Sequence, residues 1–237
     1  MSENATANCD LPLLMPAQAQ KHVTVNDALL RVDGQLDLVL QSTRRTIPPS
    51  VVIDGHCWAV PVGAVNAWEG RDGQIAIGAN GGWIFVAPSY GRRAVIADQG
   101  VTAIHDGRSW VPGALNMGAH GSGLVAMQAS EDLTLASGSS VASTMVLPTG
   151  AMVIGVTARV LEPITGGLTS WSAGTAGALN RFGQGLGKPK DTWSRGILSQ
   201  PMTYWEPEPI LISAVGGNFT GGKIRLVAHW LELRIPV

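Results

Sequence analysis

Three features of this sequence predict a mainly β fold. Asp-Gly or Asn-Gly-Gly turns recur and run straight into tryptophan, alternating apolar segments of strand length fill most of the chain, and a single segment carries helical spacing. The predicted architecture is an N-terminal extended arm and one helix (residues 1–45), a small β-hairpin domain (46–112), and a C-terminal jelly-roll-like β-sandwich (113–237).

Residues 1 to about 22 hold Pro12, Pro16 and the run Ala17-Gln18-Ala19-Gln20, and read as an extended arm that must lie on something. Thr24 then stands where a helix cap belongs, with Asp27 three positions on. Val25, Leu29, Val32, Leu36 and Val39 follow at alternating spacings of four and three. That is a heptad-like stripe interrupted by Gly34, and it suits either a helix packed on its own domain or a short coiled coil. Pro48-Pro49 ends the helical pattern.

The turns at Asp54-Gly55, Asn80-Gly81 and Asp106-Gly107 precede Trp58, Trp83 and Trp110. Glycine after Asp or Asn supplies the positive φ of a tight hairpin, and Val51-Val52-Ile53, Ile84-Phe85-Val86 and Val101 to Ile104 read as the flanking strands. Trp68-Glu69-Gly70 to Ile77 is a further turn entering a strand. These indoles either fill the core of a thin domain or stack on sugars.

Beyond Trp110-Val111-Pro112-Gly113 the strand candidates lengthen: Leu124 to Met127, Thr144 to Leu147, Met152 to Val160, Ile210 to Val215 and Ile224 to Ile235. Short strands separated by Gly- and Ser-rich turns predict a two-sheet sandwich. In the last strand Leu226, Ala228 and Trp230 share one face, and Val227, His229 and Leu231 the other. Both faces are largely apolar, which places the strand in mid-sheet or at a subunit contact.

Composition narrows the function. Charged residues are 14% of the chain and the net charge is −1, with no basic cluster beyond Arg44-Arg45 or Arg92-Arg93, so no nucleic acid partner is expected. No apolar run reaches a membrane span and no basic, apolar leader opens the chain, so neither membrane insertion nor secretion is expected, and synthesis in the cytoplasm follows. Cys9 and Cys57 read as free thiols. The five histidines show no metal-ligand spacing, so neither a metal nor another cofactor is expected.

Catalytic motifs fail on spacing. Gly183-Gln184-Gly185-Leu186-Gly187-Lys188 has Phe182 and Pro189 where a phosphate loop needs Gly and Ser or Thr. Ser122 beside His120 lacks a nucleophile elbow. Glu162, Asp191, Glu206 and Glu208 are the carboxylates available to a glycoside hydrolase. Nothing in their sequence placement pairs them across a substrate, and no enzymatic role is expected.

A binding constellation fits better. Trp171, Trp193, Tyr204 and Trp205 lie in the turn-rich region 163 to 209, near Asn180, Arg181, Asp191, Arg195 and Glu206. Sugars are recognised by such sets: a ring stacks on an indole while amide, guanidinium and carboxylate groups meet the hydroxyls. The same aromatics equally suit a sandwich core or a subunit interface.

The segment Met15-Pro16-Ala17-Gln18-Ala19-Gln20-Lys21-His22-Val23-Thr24-Val25-Asn26-Asp27-Ala28-Leu29, with the Trp68 to Ala76 and Asp106 to Pro112 turns, resembles a family of uncharacterised proteins encoded in bacterial prophages and gene transfer agents. Trp171-Ser172, Arg181 to Gly187 and His229-Trp230 look like the domain that often follows it. The chain departs from the family pattern at Gly91-Arg92-Arg93-Ala94, where relatives carry tryptophan beside the arginine. The resemblance implies a virion tail-fibre or spike protein that attaches a phage-like particle to bacterial cell-surface polysaccharide. It further implies a homotrimer, with the N-terminal arm docked on other tail or capsid proteins. A purely structural spike or adaptor and a capsule or lipopolysaccharide depolymerase are the alternatives.

Overall fold

A computed structural model describes residues 5–14 and 21–236. The Ala17-Gln18-Ala19-Gln20 part of the arm lies outside the described residues. Among them the fold is mainly β, with one α-helix and fifteen strands, and the chain divides into two compact units, Met1–Gly123 and Leu124–Pro236. The helix expected to stand apart thus shares a unit with the tryptophan hairpins, and that unit runs past the expected boundary at residue 113.

The first unit holds helix α1 (Lys21–Asp33) and strands β1 (Val39–Leu40), β2 (Cys57–Ala59), β3 (Ile75–Ala79), β4 (Gly82–Val86), β5 (Arg93–Ile96), β6 (Val101–His105) and β7 (Trp110–Pro112). They form one sheet in the order β4-β3-β2-β1-β5-β6-β7. β1 is parallel to both its neighbours, and the outer pairs are antiparallel hairpins.

The helix begins three residues before the expected cap, so Thr24 lies inside it. Asn26 does the tethering instead: its side chain accepts from the Leu14 amide at 2.9 Å and donates to the Leu14 carbonyl at 3.1 Å, fixing the arm against the first turns. The helix also stops at Asp33, which leaves Leu36 in a turn and Val39 in β1. Only Val25, Leu29 and Val32 of the predicted stripe are helical. Val25 and Val32 are exposed, as are Leu36 and Val39 beyond the helix.

Residues 5–14 are not a straight arm. They fold into a small loop closed by the Ala5 and Pro12 bridge and by the Thr6 amide on the Leu11 carbonyl. The buried Asp33 carboxylate clasps that loop, accepting from the Thr6 hydroxyl at 2.6 Å and from the amides of Cys9 at 2.7 Å and Asn8 at 3.0 Å. An anion at a helix C-terminus opposes the helix dipole by ~0.3–1 kcal/mol. Three donors to a charged acceptor, each contributing ~1.5–3 kcal/mol, outweigh that.

Two of the three predicted turns are hairpins. Asn80 and Gly81 have φ of 51° and 72° and join β3 to β4 in the type I′ geometry that matches strand twist. Between β6 and β7 the Asp106 carboxylate accepts from the Arg108 and Ser109 amides at 2.8 and 2.7 Å. The Asp54-Gly55 turn is different, and Val51-Val52-Ile53 is not a strand. Because β1 and β2 are parallel, their connection is a crossover rather than a hairpin.

The tryptophans of this unit are core. Trp68 is fully buried, with ring centroids 6.0 Å from Trp58 and 5.3 Å from Trp83, and Trp110 packs edge-on to His105 at 5.1 Å. Large aromatic areas fill an interior that a short-stranded sheet and one helix leave thin.

The second unit contains β8 (Gly123–Thr134), β9 (Ser140–Leu147), β10 (Met152–Gly166), β11 (Ser170–Thr175), β12 (Ala178–Leu186), β13 (Trp193–Thr203), β14 (Glu208–Val215) and β15 (Phe219–Arg234). Two four-stranded sheets run β13-β10-β15-β8 and β12-β11-β14-β9. Strands distributed between two facing sheets in this order, with only β11 and β12 consecutive in one sheet, make an eight-stranded jelly roll. Leu226, Ala228 and Trp230 of β15 point inward and are buried, and β15 sits in mid-sheet between β10 and β8. Where the sequence reads a long turn-rich stretch from 163 to 209, the structure has β11, β12 and β13. Their many Gly, Ser and polar residues mask the strand pattern.

Gly196 shows why such residues are needed. A Cβ there would stand 2.1 Å from the Phe182 carbonyl oxygen, so its absence lets β12 and β13, edge strands of opposite sheets, close one side of the sandwich.

Candidate functional site

The eight residues predicted to meet carbohydrate do not form one cluster. Trp171 is 1% exposed, lies on β11 inside its sheet and packs in the sandwich core with Phe182 and Phe219. Its indole N–H donates to the Gly187 carbonyl at 2.8 Å. This corrects its assignment as a stacking platform: an inward position on an inner strand is reached by side chains of the opposite sheet, not by a ligand. The same contact explains the glycine run. Gly183 to Leu186 are strand, Gly187 satisfies the indole, and the Lys188 ammonium donates to the Leu168 carbonyl at 2.9 Å.

Asn180, Arg181, Tyr204, Trp205 and Glu206 lie toward one end of β13. The Arg181 guanidinium reaches the Met202 sulfur at 3.0 Å, and Asn180 donates to Gln184 at 2.9 Å. Tyr204 is half-buried against the sandwich core, and burial pushes its phenol up, with Arg181 and Thr175 opposing. Trp205 is 80% exposed, and Glu206 beside it is exposed.

Asp191 and Trp193 lie at the other end. Asp191 turns the chain into β13 with a φ of 67° and its amide on the Val160 carbonyl. Trp193 is 62% exposed. On β10 the partners of Trp193 and Thr203 are Arg159 and Met152, which are seven residues apart. At ~3.3 Å per residue the two exposed indoles are separated by about 23 Å of strand. No single sugar ring touches both.

β13 alternates cleanly at its Trp193 end. Trp193, Arg195 and Ile197 point outward, while Gly196 and Leu198 face the core. The Arg195 guanidinium carbon stands 5.9 Å from the Trp193 ring centroid, within cation-π range. Across the sheet Arg159 is opposite Trp193 on one side and opposite Arg225 on the other, and Thr157 is opposite Arg195. Thr157 and His229 share a hydrogen bond at 3.2 Å, and burial lowers the His229 imidazole pKa. Arg159, Thr157 and Arg225 are absent from the set predicted from sequence, and His229 enters the sequence reading only as a residue of the last strand. Their signal is the alternation of β10 and β15, but the register that aligns them with Trp193 is set by pairing between strands far apart in sequence.

The carboxylates do not converge. Asp191 and Glu206 stand at opposite ends of β13, Glu208 accepts from the Ala176 amide at 3.0 Å, and Glu162 is opposite Lys223. Among the described residues no three His, Cys, Asp or Glu side chains gather to hold a metal ion. In the first unit a groove of about 660 Å³ is lined by Gln35, Asp37, Tyr90, Arg92 and Arg93, where Arg92 is held by Gln35 at 3.0 Å.

A DUF2793 domain, described as a protein of unknown function, is found at residues 25–111. The match covers most of α1 and the first sheet as far as Val111 in β7, and the sandwich lies outside it. No curated protein matches the chain.

Proposed function

We propose that this chain is an attachment subunit of a phage-like particle, displayed at the virion surface and holding bacterial surface polysaccharide through its C-terminal sandwich. The observation that carries the reading is the exposure of Trp193 and Trp205 on a jelly roll whose other aromatic side chains are buried, as Trp171, Phe182, Phe219 and Trp230 are, or half-buried, as Tyr204 is. An indole left in water gives up the stabilisation its ~150–250 Å² would contribute in a core, and stacking on sugar is a use that needs it outside. The virion assignment rests on the likeness of the arm, helix and first hairpins to prophage and gene-transfer-agent proteins.

The exposed Val25 and Val32 of α1, continued by Leu36 and Val39, support self-association, with the trimer of the resemblance as the expected state. Three copies raise weak single contacts to useful avidity. Val25→Asp with Val32→Asp is expected to convert the oligomer to monomer in light scattering while changing subunit stability by no more than about 0.5 kcal/mol, since both sites are exposed.

Glycan-array binding of the full chain tests the attachment reading. Wild type is expected to bind a subset of bacterial polysaccharides, and Trp193→Ala and Trp205→Ala each to weaken that binding by about tenfold, the loss of one stacking contact of ~1–1.5 kcal/mol. A folded, oligomeric wild type that binds nothing on the array removes the reading. A structural subunit without glycan affinity is the second candidate, favoured by Ile197 and Leu233, which are 65% and 75% exposed on the outer face of the same sheet as Trp193. In that case another copy covers the face, and Trp193 fluorescence in the assembled protein resists acrylamide quenching.

A further inference from the structure

We propose that the outer face of the β13-β10-β15-β8 sheet around Trp193 takes an acidic sugar, with the ring against the indole and the carboxylate received by Arg159 and Arg195. This specifies the substrate class of the attachment reading above and rests on it.

The argument starts from charge. Arg159 lies directly between Trp193 on β13 and Arg225 on β15. Side chains so placed have Cβ atoms ~4.5–5.5 Å apart, and like charges directly opposite destabilise a sheet. Arg225 is relieved, because Asp132 holds its guanidinium in a two-pronged pair at 2.6 and 2.8 Å. Arg159 is not: among the described residues neither it nor Arg195 forms an ion pair with a carboxylate. Glu162, the other acid on this side, stands opposite Lys223, and Asp191 in the preceding turn forms no ion pair among the described residues.

Two guanidinium groups without counterions thus flank an exposed indole. Charged side chains on an edge strand commonly guard against strand addition, and that accounts for Arg195 on β13. It does not account for Arg159, because β10 is an interior strand. The planar fork of arginine matches a carboxylate in two parallel hydrogen bonds, and the indole matches the apolar face of a sugar. Thr157, opposite Arg195, and its partner His229 place neutral hydrogen-bonding groups on the same face for ring hydroxyls. An acidic polysaccharide combines these three chemistries in one repeating ligand.

The test uses the full chain and oligomers of galacturonate, glucuronate and mannuronate, each compared by calorimetry with its methyl ester, which keeps the ring and loses the charge. At least one acid form is expected to bind about tenfold more tightly than its ester, and to weaken as salt is raised. Arg159→Ala and Arg195→Ala are expected to abolish the preference for acid over ester, while Trp193→Ala weakens both forms. All three positions are exposed, so unchanged circular dichroism is expected of each variant. Equal binding of acid and ester overturns the proposal while leaving attachment to a neutral glycan intact. Binding of the acid that Trp193→Ala leaves unchanged marks simple ion exchange and overturns it too. Failure of every uronate with retained array binding also removes the proposal alone, whereas failure of both experiments removes the attachment reading with it.

Discussion

Trp171→Ala is expected to destabilise the sandwich by about 3–5 kcal/mol, the range for deleting a large aromatic from a packed core. Two losses combine. The indole is 1% exposed among Phe182, Phe219 and the apolar residues of both sheets, so its removal leaves a cavity that the rigid β11 backbone cannot collapse. It also leaves the Gly187 carbonyl without its donor. Amide exchange resolved to β10 and β15 is the measurement, because those central strands report opening of the second unit. Trp193→Ala, by contrast, is expected to move the same protection by less than about 0.5 kcal/mol. The two tryptophans thus separate a packing role from a surface role. Unchanged protection in Trp171→Ala, with sugar binding lost, would return that indole to the ligand site.

Asp33→Ala is expected to release the N-terminal loop, lowering its local opening free energy by about 3 kcal/mol, since a charged acceptor of three hydrogen bonds is removed. Burial alone would raise the Asp33 pKa, but donation from Thr6, Asn8 and Cys9 outweighs it and holds the carboxyl below the ordinary value. The sign of the pH effect follows. A depressed folded-state pKa contributes stability that is fully present above the unfolded value of about 3.9 and is lost as pH falls through the folded value. Exchange protection of the Asn8 and Cys9 amides is therefore expected to hold at neutral pH and fade only below about pH 4 in wild type, and to be absent throughout in Asp33→Ala.

The cysteines supply an independent readout. The Cys9 thiol pKa is raised by desolvation and by the adjacent Asp33, whereas Cys57 is pushed up to about 12 by burial and the same carboxylate. Alkylation at mildly alkaline pH is expected to label Cys9 selectively, and faster in Asp33→Ala, because thiolate rather than thiol is the nucleophile. An unaltered labelling rate together with unaltered Asn8 and Cys9 exchange would show that the loop is held by something other than this clasp.

The mainly β class, the single helix and the β3-β4 and β6-β7 hairpins were legible because they are written in local chemistry. Positive φ at Asn80-Gly81, the carboxylate of Asp106 and the apolar run of β15 act over a few residues. β11, β12 and β13 were not legible. Their positions are occupied by Gly, Ser, Asn and Gln, which resemble turns until the opposite sheet requires a close approach such as that of Gly196 to Phe182. Sequence proximity also grouped Trp171, Trp193 and Trp205 as one surface, although strand direction sends the first inward and strand length holds the other two apart.

By itself, then, the sequence determined the kind of secondary structure and several of its turns, because hydrophobic period and turn propensity are short-range properties. Only the tertiary structure decided which indoles face water, that Asp33 closes the N-terminal loop, and that Arg159 stands between Trp193 and Arg225. Each of those depends on the register between segments 20 to 70 residues apart. Register is fixed by the collective burial of two facing sheets, and a shift of one residue would exchange every inside residue for an outside one.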